Sequence, residues 1–409
     1  MQKIITLKFD EFGFDLQLLD GINAIGYENA TPIQEQTIPI IMQGNDLMGS
    51  AQTGTGKTAA FLLPVINNII TSVANNFIKA LVIVPTRELA VQIDQQMEGF
   101  SYFTPVSSIA IYGGTDGASF EREKQSLIDG ADVIICTPGR MIAHINQGYT
   151  DFSHLKYLIL DEADRMLDMG FFDDLMKIIG RLPEKRQNLL FAATMPKEVG
   201  VLARKILVNP MEVSLAVSKP AEKILQVAYC VYDAQKIPLT IHTLNSDKLR
   251  SVLIFCSTKS ATKQVSRELK HLRISVAEIH SDLDQKTREQ VLLDFRNRKI
   301  NVLVATDILS RGIDVEDIDL VINYDVPNDG EDYIHRIGRT ARAQSDGVAI
   351  TFINQKEMGK FAEIEKLLGE DVYKAVVPTE FGEGPAYEPK MKFRDAGRGK
   401  FKGGGGRKR

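Results

Sequence analysis

The sequence predicts an α/β protein built from two tandem domains, and three observations carry that expectation. Short, almost continuously apolar runs recur along the chain, stretches of helical period separate them, and the series occurs twice. Strands apolar on both faces and joined by helical crossovers mean parallel sheets covered by helices on both sides. A length of 409 residues also exceeds what one compact core holds.

The first series is Ala80–Val84, Val133–Cys136, Tyr157–Leu160 and Asn188–Phe191; the second is Ser251–Phe255, Val276–Ile279, Asn301–Val304 and Leu320–Ile322. Helical patterns such as Arg87–Phe100 and Thr287–Asn297 lie between them. A polar, proline-containing stretch without period marks the joint, so residues 1–215 form the first domain, 216–223 a linker and 224–372 the second domain. Eight extended residues reach up to about 28 Å, enough for two domains to open and close over a shared cleft. From 373 to 409 the pattern fades into a basic, glycine-rich tail, expected to be flexible and without a core.

A hydrophobic share of 44% and a charged share of 25% are those of a globular chain and exclude a largely disordered one. No apolar run approaches the roughly 18 residues that span a bilayer, and the first residues lack a secretory pattern. Three scattered cysteines, Cys136, Cys230 and Cys256, have neither zinc spacing nor a disulfide framework. The expectation is a reduced, cytoplasmic protein with no membrane partner. The net charge of −4 conceals an asymmetry: Lys390–Arg409 carries nine basic residues against Asp395, a local +8 that leaves −12 on residues 1–389. An acidic body with a cationic end suits a chain that holds a polyanion. The tail is expected to anchor that polyanion by charge alone; a merely solubilising end is the alternative.

Ala51-Gln52-Thr53-Gly54-Thr55-Gly56-Lys57-Thr58 lies between a short strand candidate, Asp46–Gly49, and a helical pattern. Glycines let such a loop turn its amides and the helix N-terminus toward a phosphate. Lys57 would neutralise the β- and γ-phosphates and the Thr58 hydroxyl would hold Mg²⁺. Ala51 stands where the strict pattern has glycine. Asp161-Glu162-Ala163-Asp164 follows the buried run Tyr157–Leu160, and carboxylates at the carboxyl end of a parallel strand face the ligand crevice. Asp161 is placed to hold the metal, partly through water, and Glu162 to activate the attacking water. Simple capping of the next helix is the alternative for both.

With these motifs the sequence resembles the DEAD-box RNA helicases of superfamily 2 from about Phe9 to Leu368. It is most similar to the bacterial RhlE-type subgroup through Arg165–Phe171 and Leu182–Leu190. The resemblance implies two tandem RecA-like domains, each a mostly parallel sheet with helices on both faces, joined by a short flexible linker. It implies ATP and Mg²⁺ as cofactors and RNA, single-stranded or as short duplex, as partner. Gly26–Gln34, with Phe9 upstream, resembles the family's adenine-reading motif, in which the Gln34 amide pairs with adenine and Tyr27 stacks on it. Pro85-Thr86-Arg87-Glu88-Leu89-Ala90, Gly113-Gly114 and Thr137-Pro138-Gly139-Arg140 match its RNA-backbone contacts, with Pro85, Thr86 and Arg87 the contacts in the first. Gln285 and Arg288, and Thr306 with Arg311 and Gly312, match further RNA positions; Asp314 would bond a ribose hydroxyl of ATP. In His335–Arg342, the resemblance makes Arg339 and Arg342 fingers that reach the γ-phosphate, with Arg336, Arg339 and Arg342 on one helix face.

One departure concerns coupling. The family's Ser-Ala-Thr reads Ala192-Ala193-Thr194 here, and its serine helps bind the residue corresponding to Asp164. Asp164, Ala192, Thr194 and His335 are the coupling candidates. The implied activity is an RNA-stimulated ATP hydrolase that locally unwinds short RNA duplexes or remodels RNA–protein complexes without reading sequence. The alternative is an ATP-gated RNA clamp that unwinds weakly because position 192 is alanine. A DNA-directed translocase of the same superfamily and a small-molecule kinase are further rivals. Ribosome-assembly or RNA-decay proteins are partners the resemblance permits and the residues do not name.

Overall fold

A computed structural model describes residues 7–51, 54–71, 76–114, 116–215, 224–245, 249–306, 318–328, 330–340 and 347–389. The first sheet holds β1 (Leu47–Ser50), β2 (Ala80–Ile83), β3 (Ser108–Ile111), β4 (Val133–Cys136), β5 (Tyr157–Leu160), β6 (Gln187–Ala192) and β7 (Met211–Ser214). The second holds β8 (Ile224–Cys230), β9 (Val252–Cys256), β10 (Val276–Ile279), β11 (Val302–Thr306), β12 (Leu320–Asn323), β13 (Gly347–Ile353) and β14 (Tyr373–Ala375). Their spatial orders are β3-β4-β2-β5-β6-β1-β7 and β10-β11-β9-β12-β13-β8-β14. Adding seven to each label of the first sheet gives the second, and the pairings are parallel in both. The chain is two RecA-like lobes of one topology.

The alternation of side chains along a strand explains why the central runs are apolar throughout. In the first lobe Val82, Ile135, Ile159 and Phe191 enter one core, whereas Leu81, Ile134, Leu158 and Leu190 enter another on the opposite face. In the second lobe Ile254, Val304 and Ile322 separate in the same way from Leu253, Leu303 and Val321. Edge strands have fewer buried positions, and β7 and β14 accordingly carry almost no apolar signal in sequence.

One boundary moves. The expected tail began at residue 373, but Tyr373–Ala375 is β14, paired with β8 from Tyr373↔Val227 onward. The chain then crosses the second lobe to Pro389, fastened by Gln235 Nε2 donating to the Phe381 carbonyl (2.8 Å) and by Tyr387 Oη donating to Glu365 (2.7 Å). This segment lacks a helical or strand period because side-chain anchors hold it. The linker expected at 216–223 and the basic stretch 390–409 lie outside the described residues. Among the described residues no helix is long and apolar enough to cross a membrane.

Candidate nucleotide and RNA sites

The order of the first sheet sorts its motifs into two neighbouring groups. The phosphate loop follows β1, Asp161–Asp164 follows β5 and Ala193-Thr194 follows β6, on the adjacent strands β5-β6-β1. Pro85–Arg87 follows β2, Gly113-Gly114 follows β3 and Thr137–Arg140 follows β4, on the adjacent strands β3-β4-β2. Every motif is at a carboxyl strand end, where open parallel sheets bind ligands.

In the phosphate loop Gly54 and Gly56 have φ of 82° and 90°, a left-handed backbone open to glycine at little cost. Ala51 is absent from the positive-φ residues, donates its N–H to the Ala192 carbonyl (3.2 Å), and so has no need of glycine. Lys57 opens the helix Lys57–Ile70 and its Nζ donates to the Ala51 carbonyl at 2.5 Å, across the loop. Thr58 is the next residue of that helix, so its hydroxyl is carried at the N-terminus. Gln52 and Thr53 lie outside the described residues, and Thr55 is half-buried.

Asp161 is 3% exposed and accepts from the Glu162 amide at 2.9 Å. Burial pushes its carboxyl up to about 6, against the opposing pull of Lys57. A buried acid whose charge one lysine only partly offsets, beside a hydroxyl at a helix start, fits a hard divalent cation bound with a phosphate. Glu162 has a left-handed backbone, φ 51°, uncommon for a non-glycine residue, and accepts from Arg165 Nη1 at 3.1 Å. It precedes the helix Ala163–Asp168 but its side chain makes no capping bond, so the capping alternative is not realised.

Asp164 shows how the coupling motif works without serine. Its Oδ2 accepts from the amides of Ala193 (3.1 Å) and Thr194 (2.9 Å) and from the Thr194 hydroxyl (3.1 Å). Ala192, fully buried at the end of β6, takes no part and is packed among apolar neighbours.

The adenine-reading motif is built differently from the expectation. Gln34 is 1% exposed; its Oε1 accepts from the Thr31 amide (2.8 Å) and its Nε2 donates to the Gly56 carbonyl (3.0 Å). Each end of the amide keeps one further hydrogen-bonding position, so a base would share Gln34 with the phosphate loop. Tyr27 meets Phe100 edge-on at 5.5 Å and Phe9 at 6.0 Å. Phe9 itself is buried, a brace behind Tyr27.

On the RNA side Arg87 lies so close to Gly114 that a Cβ there would sit 2.0 Å from its Nη1, and Gly114 has φ 85°. Burial, then the Arg288 guanidinium, lower the Arg87 pKa. Concentrated, incompletely offset positive charge is what a phosphate neutralises. Thr86 caps its helix by accepting from Leu89, with Pro85 buried behind it. Thr137 and Pro138 begin the helix Pro138–Asn146, and Gly139 is exposed with open space around it. Arg140 differs from the expectation: its Nε donates to the buried Glu123 (2.7 Å) and its guanidinium lies 4.6 Å from the Phe120 ring centre. Glu123 also meets His144 Nε2 at 2.8 Å.

In the second lobe Thr306 ends β11 and is buried. Gln285 opens the helix Gln285–Arg296, with its side chain outside the described set. Arg288 Nη2 donates to the Ser281 carbonyl (3.0 Å), and its Nη1 stands 3.6 Å from Glu88 Oε1 of the first lobe. The pair joins the lobes; Glu88 belongs to the Pro85–Ala90 motif, but the sequence assigns it no partner. Arg311, Gly312, Asp314 and Arg342 lie outside the described residues. The helix carrying His335 ends at Ile337, so Arg336 is helical while Arg339 sits in the turn beyond and does not share its helical face. Arg336 is buried, donating from Nη1 to Asn323 Oδ1 (3.1 Å) and to the Asp325 carbonyl (2.9 Å). It anchors the helix rather than reaching across the cleft.

A phosphate loop and a strand-end acid in one RecA-like lobe, with Arg288 of the second lobe meeting Glu88 across the cleft, define a two-lobed nucleoside triphosphatase. The DEAD/DEAH box helicase model matches residues 31–201 and the Helicase conserved C-terminal domain model matches 235–344. The chain is 41% identical over 374 residues to the ATP-dependent RNA helicase CshA of Listeria monocytogenes, covering 91% of this chain and 71% of that protein. It belongs to the DEAD-box family of ATP-dependent RNA helicases. That relative does not carry the RhlE-type name expected for the subgroup. Dbp5 of S. cerevisiae bound to RNA and ADP BeF3 is 31% identical with a TM-score of 0.81, over 90% of this chain and 95% of that one. A DEAD box protein from the hyperthermophile Methanococcus jannaschii is 36% identical over 90% of this chain and 99% of that one, yet its TM-score is 0.52. The whole chain, with its Arg288–Glu88 pair across the cleft, is more similar to RNA- and nucleotide-bound Dbp5 by this score.

Proposed function

We propose that this chain is an RNA-stimulated ATPase that closes its two lobes on ATP and one RNA strand, and thereby separates short duplexes or strips proteins from RNA. The observation that carries the reading is the sorting of motifs along one sheet edge, phosphate chemistry on β5-β6-β1 and backbone-binding turns on β3-β4-β2. Lys57 and the loop amides bind the triphosphate, Gln34 links the base to Gly56, and Glu162 takes the proton of the attacking water. Bound with the nucleotide, Mg²⁺ would neutralise phosphate charge, and Asp161 and Thr58 are placed to hold it. Arg87, Arg288 and the turns at Gly113-Gly114 and Thr137–Gly139 grip phosphates, which carry no base information. Arg339 and Arg342 complete the γ-phosphate contacts on closure. Because each ligand touches both lobes, each favours the closed form and raises affinity for the other.

ATP turnover measured at low salt is expected to rise with RNA and less with DNA of equal length; no stimulation by any RNA overturns the reading. Deleting Lys390–Arg409 should weaken RNA binding and flatten its salt dependence, and unchanged binding removes the anchor role.

The clamp reading rested on Ala192, and it loses that support because Asp164 already accepts three bonds from Ala193 and Thr194. Ala192→Ser is therefore expected to leave duplexes unwound per ATP unchanged, the opposite of what the missing serine suggests. Asp164→Asn, which weakens all three bonds by removing the charge, should lower that ratio severalfold. A rise with Ala192→Ser would restore the coupling defect.

A further inference from the structure

The helix Lys259–His271 of the second lobe carries a line of cations that the family motifs leave unused. Lys259, Lys263, Arg267 and Lys270 stand at i, i+4, i+8 and i+11, within an arc of about 80° at 100° per residue. They extend over about 16 Å at 1.5 Å per residue. All four are exposed, whereas Thr262, Val265, Ser266 and Leu269 face the core. A solvated helix face usually mixes signs; here the helix holds a single acid, Glu268.

The position of the line argues for its ligand. Arg87 packs on Gly114 in the first lobe, Glu88 beside it meets Arg288, and Arg288 bonds the Ser281 carbonyl. The next residue, Asp282, accepts from Lys259 Nζ (2.6 Å) and Lys263 Nζ (3.0 Å). The contacts thus run without a break from the RNA-binding turns of the first lobe to the start of the cation line. One carboxylate shared by two lysines leaves an excess charge there, with Arg267 and Lys270 beyond.

We infer that this helix face continues the RNA track: it binds the phosphates of the same RNA where the strand leaves the cleft, through charge and without reading bases. This rests on the RNA reading above. It would give long RNA an affinity that short RNA lacks, and would hold the substrate while the lobes open between ATP cycles.

The test compares full-length wild type with Lys263→Gln/Arg267→Gln/Lys270→Gln, using RNAs of about 6 and about 20 nucleotides over a salt series. The wild type should prefer the longer RNA. The variant should lose about tenfold or more of that preference, and its salt slope on the longer RNA should fall by about 2, near 0.7 per lost contact. A control, Arg204→Gln/Lys205→Gln on the helix Lys197–Ile206, removes exposed charge elsewhere and should leave both quantities at wild-type values. Equal slopes and equal preference in wild type and variant overturn the surface. A wild type that binds neither RNA overturns the underlying RNA reading, and the surface with it.

Discussion

Glu162→Gln is expected to lower RNA-stimulated ATP turnover by about 10²–10⁴-fold while nucleotide and RNA still bind. The substitution keeps the shape of the side chain and its acceptor toward Arg165, 3.1 Å away, but removes the group that can take a proton. The backbone argues that this carboxylate is placed for chemistry. A φ of 51° at a residue with a side chain stores strain, and such strain persists where surrounding structure imposes it, often at active sites. Neighbouring Asp161, buried beside Lys57, has the separate task of holding the metal in the proposed site. Single-turnover hydrolysis with saturating RNA separates the outcomes: a slow chemical step with normal nucleotide binding supports the role. Turnover within a few-fold of wild type would return Glu162 to structural duty, yet its side chain caps nothing.

Legibility in the sequence followed burial. Val133–Cys136 and Tyr157–Leu160 were readable to the residue because strands inside the sheet, buried at all four positions, are written in apolar letters. The strands β7, β8 and β14 do not stand out in the sequence, whereas β13, Gly347–Ile353, is apolar and buried yet missing from the expected series. β7 and β14 are edge or half-exposed pairings with little pattern, and β14 falls in the stretch expected to be tail. Motifs placed the chemistry at strand ends, but they did not disclose how charges are shared. Arg140 looks like a phosphate ligand in Thr-Pro-Gly-Arg, and only the fold brings Glu123 to it from 17 residues away. Gln34 looks like a base reader, and only the fold brings Gly56 within 3.0 Å. Partners distant in sequence were the missing information in both cases.

The duplication of topology exposes a second large effect. Adding seven to the strand number maps β1, β5 and β6 onto β8, β12 and β13. Where the first lobe has Lys57 after β1 and Asp161 after β5, the second has Lys236 after β8, Asp325 after β12 and Glu357 after β13. Lys236 is 2% exposed, with Nζ 2.8 Å from Asp325 and 3.4 Å from Glu357. Burial would lower its pKa, but the two carboxylates outweigh burial and raise it. Glu357 behaves oppositely: burial wins over Lys236 and pushes its carboxyl up. One cation thus serves two half-buried acids, with the exposed Asp233 also 3.8 Å away, and the nearest acid has most of it. The ion cluster closes the position that takes nucleotide in the first lobe, and through the Asp325 carbonyl it holds Arg336, three residues before Arg339. Lys236→Met should therefore strand two half-buried carboxylates and cost about 3 kcal/mol, lowering the Tm of the second lobe by about 10 °C. The deficit should shrink as pH falls, because Glu357, its pKa already raised in the folded lobe, takes up a proton there before it would in the unfolded chain. Lys236→Met/Asp325→Asn/Glu357→Gln, which removes the charges together, should recover most of the lost stability. Thermal unfolding of the three proteins across pH decides it: a single variant as stable as wild type at neutral pH would mean that the cluster contributes nothing to holding the arginine helix.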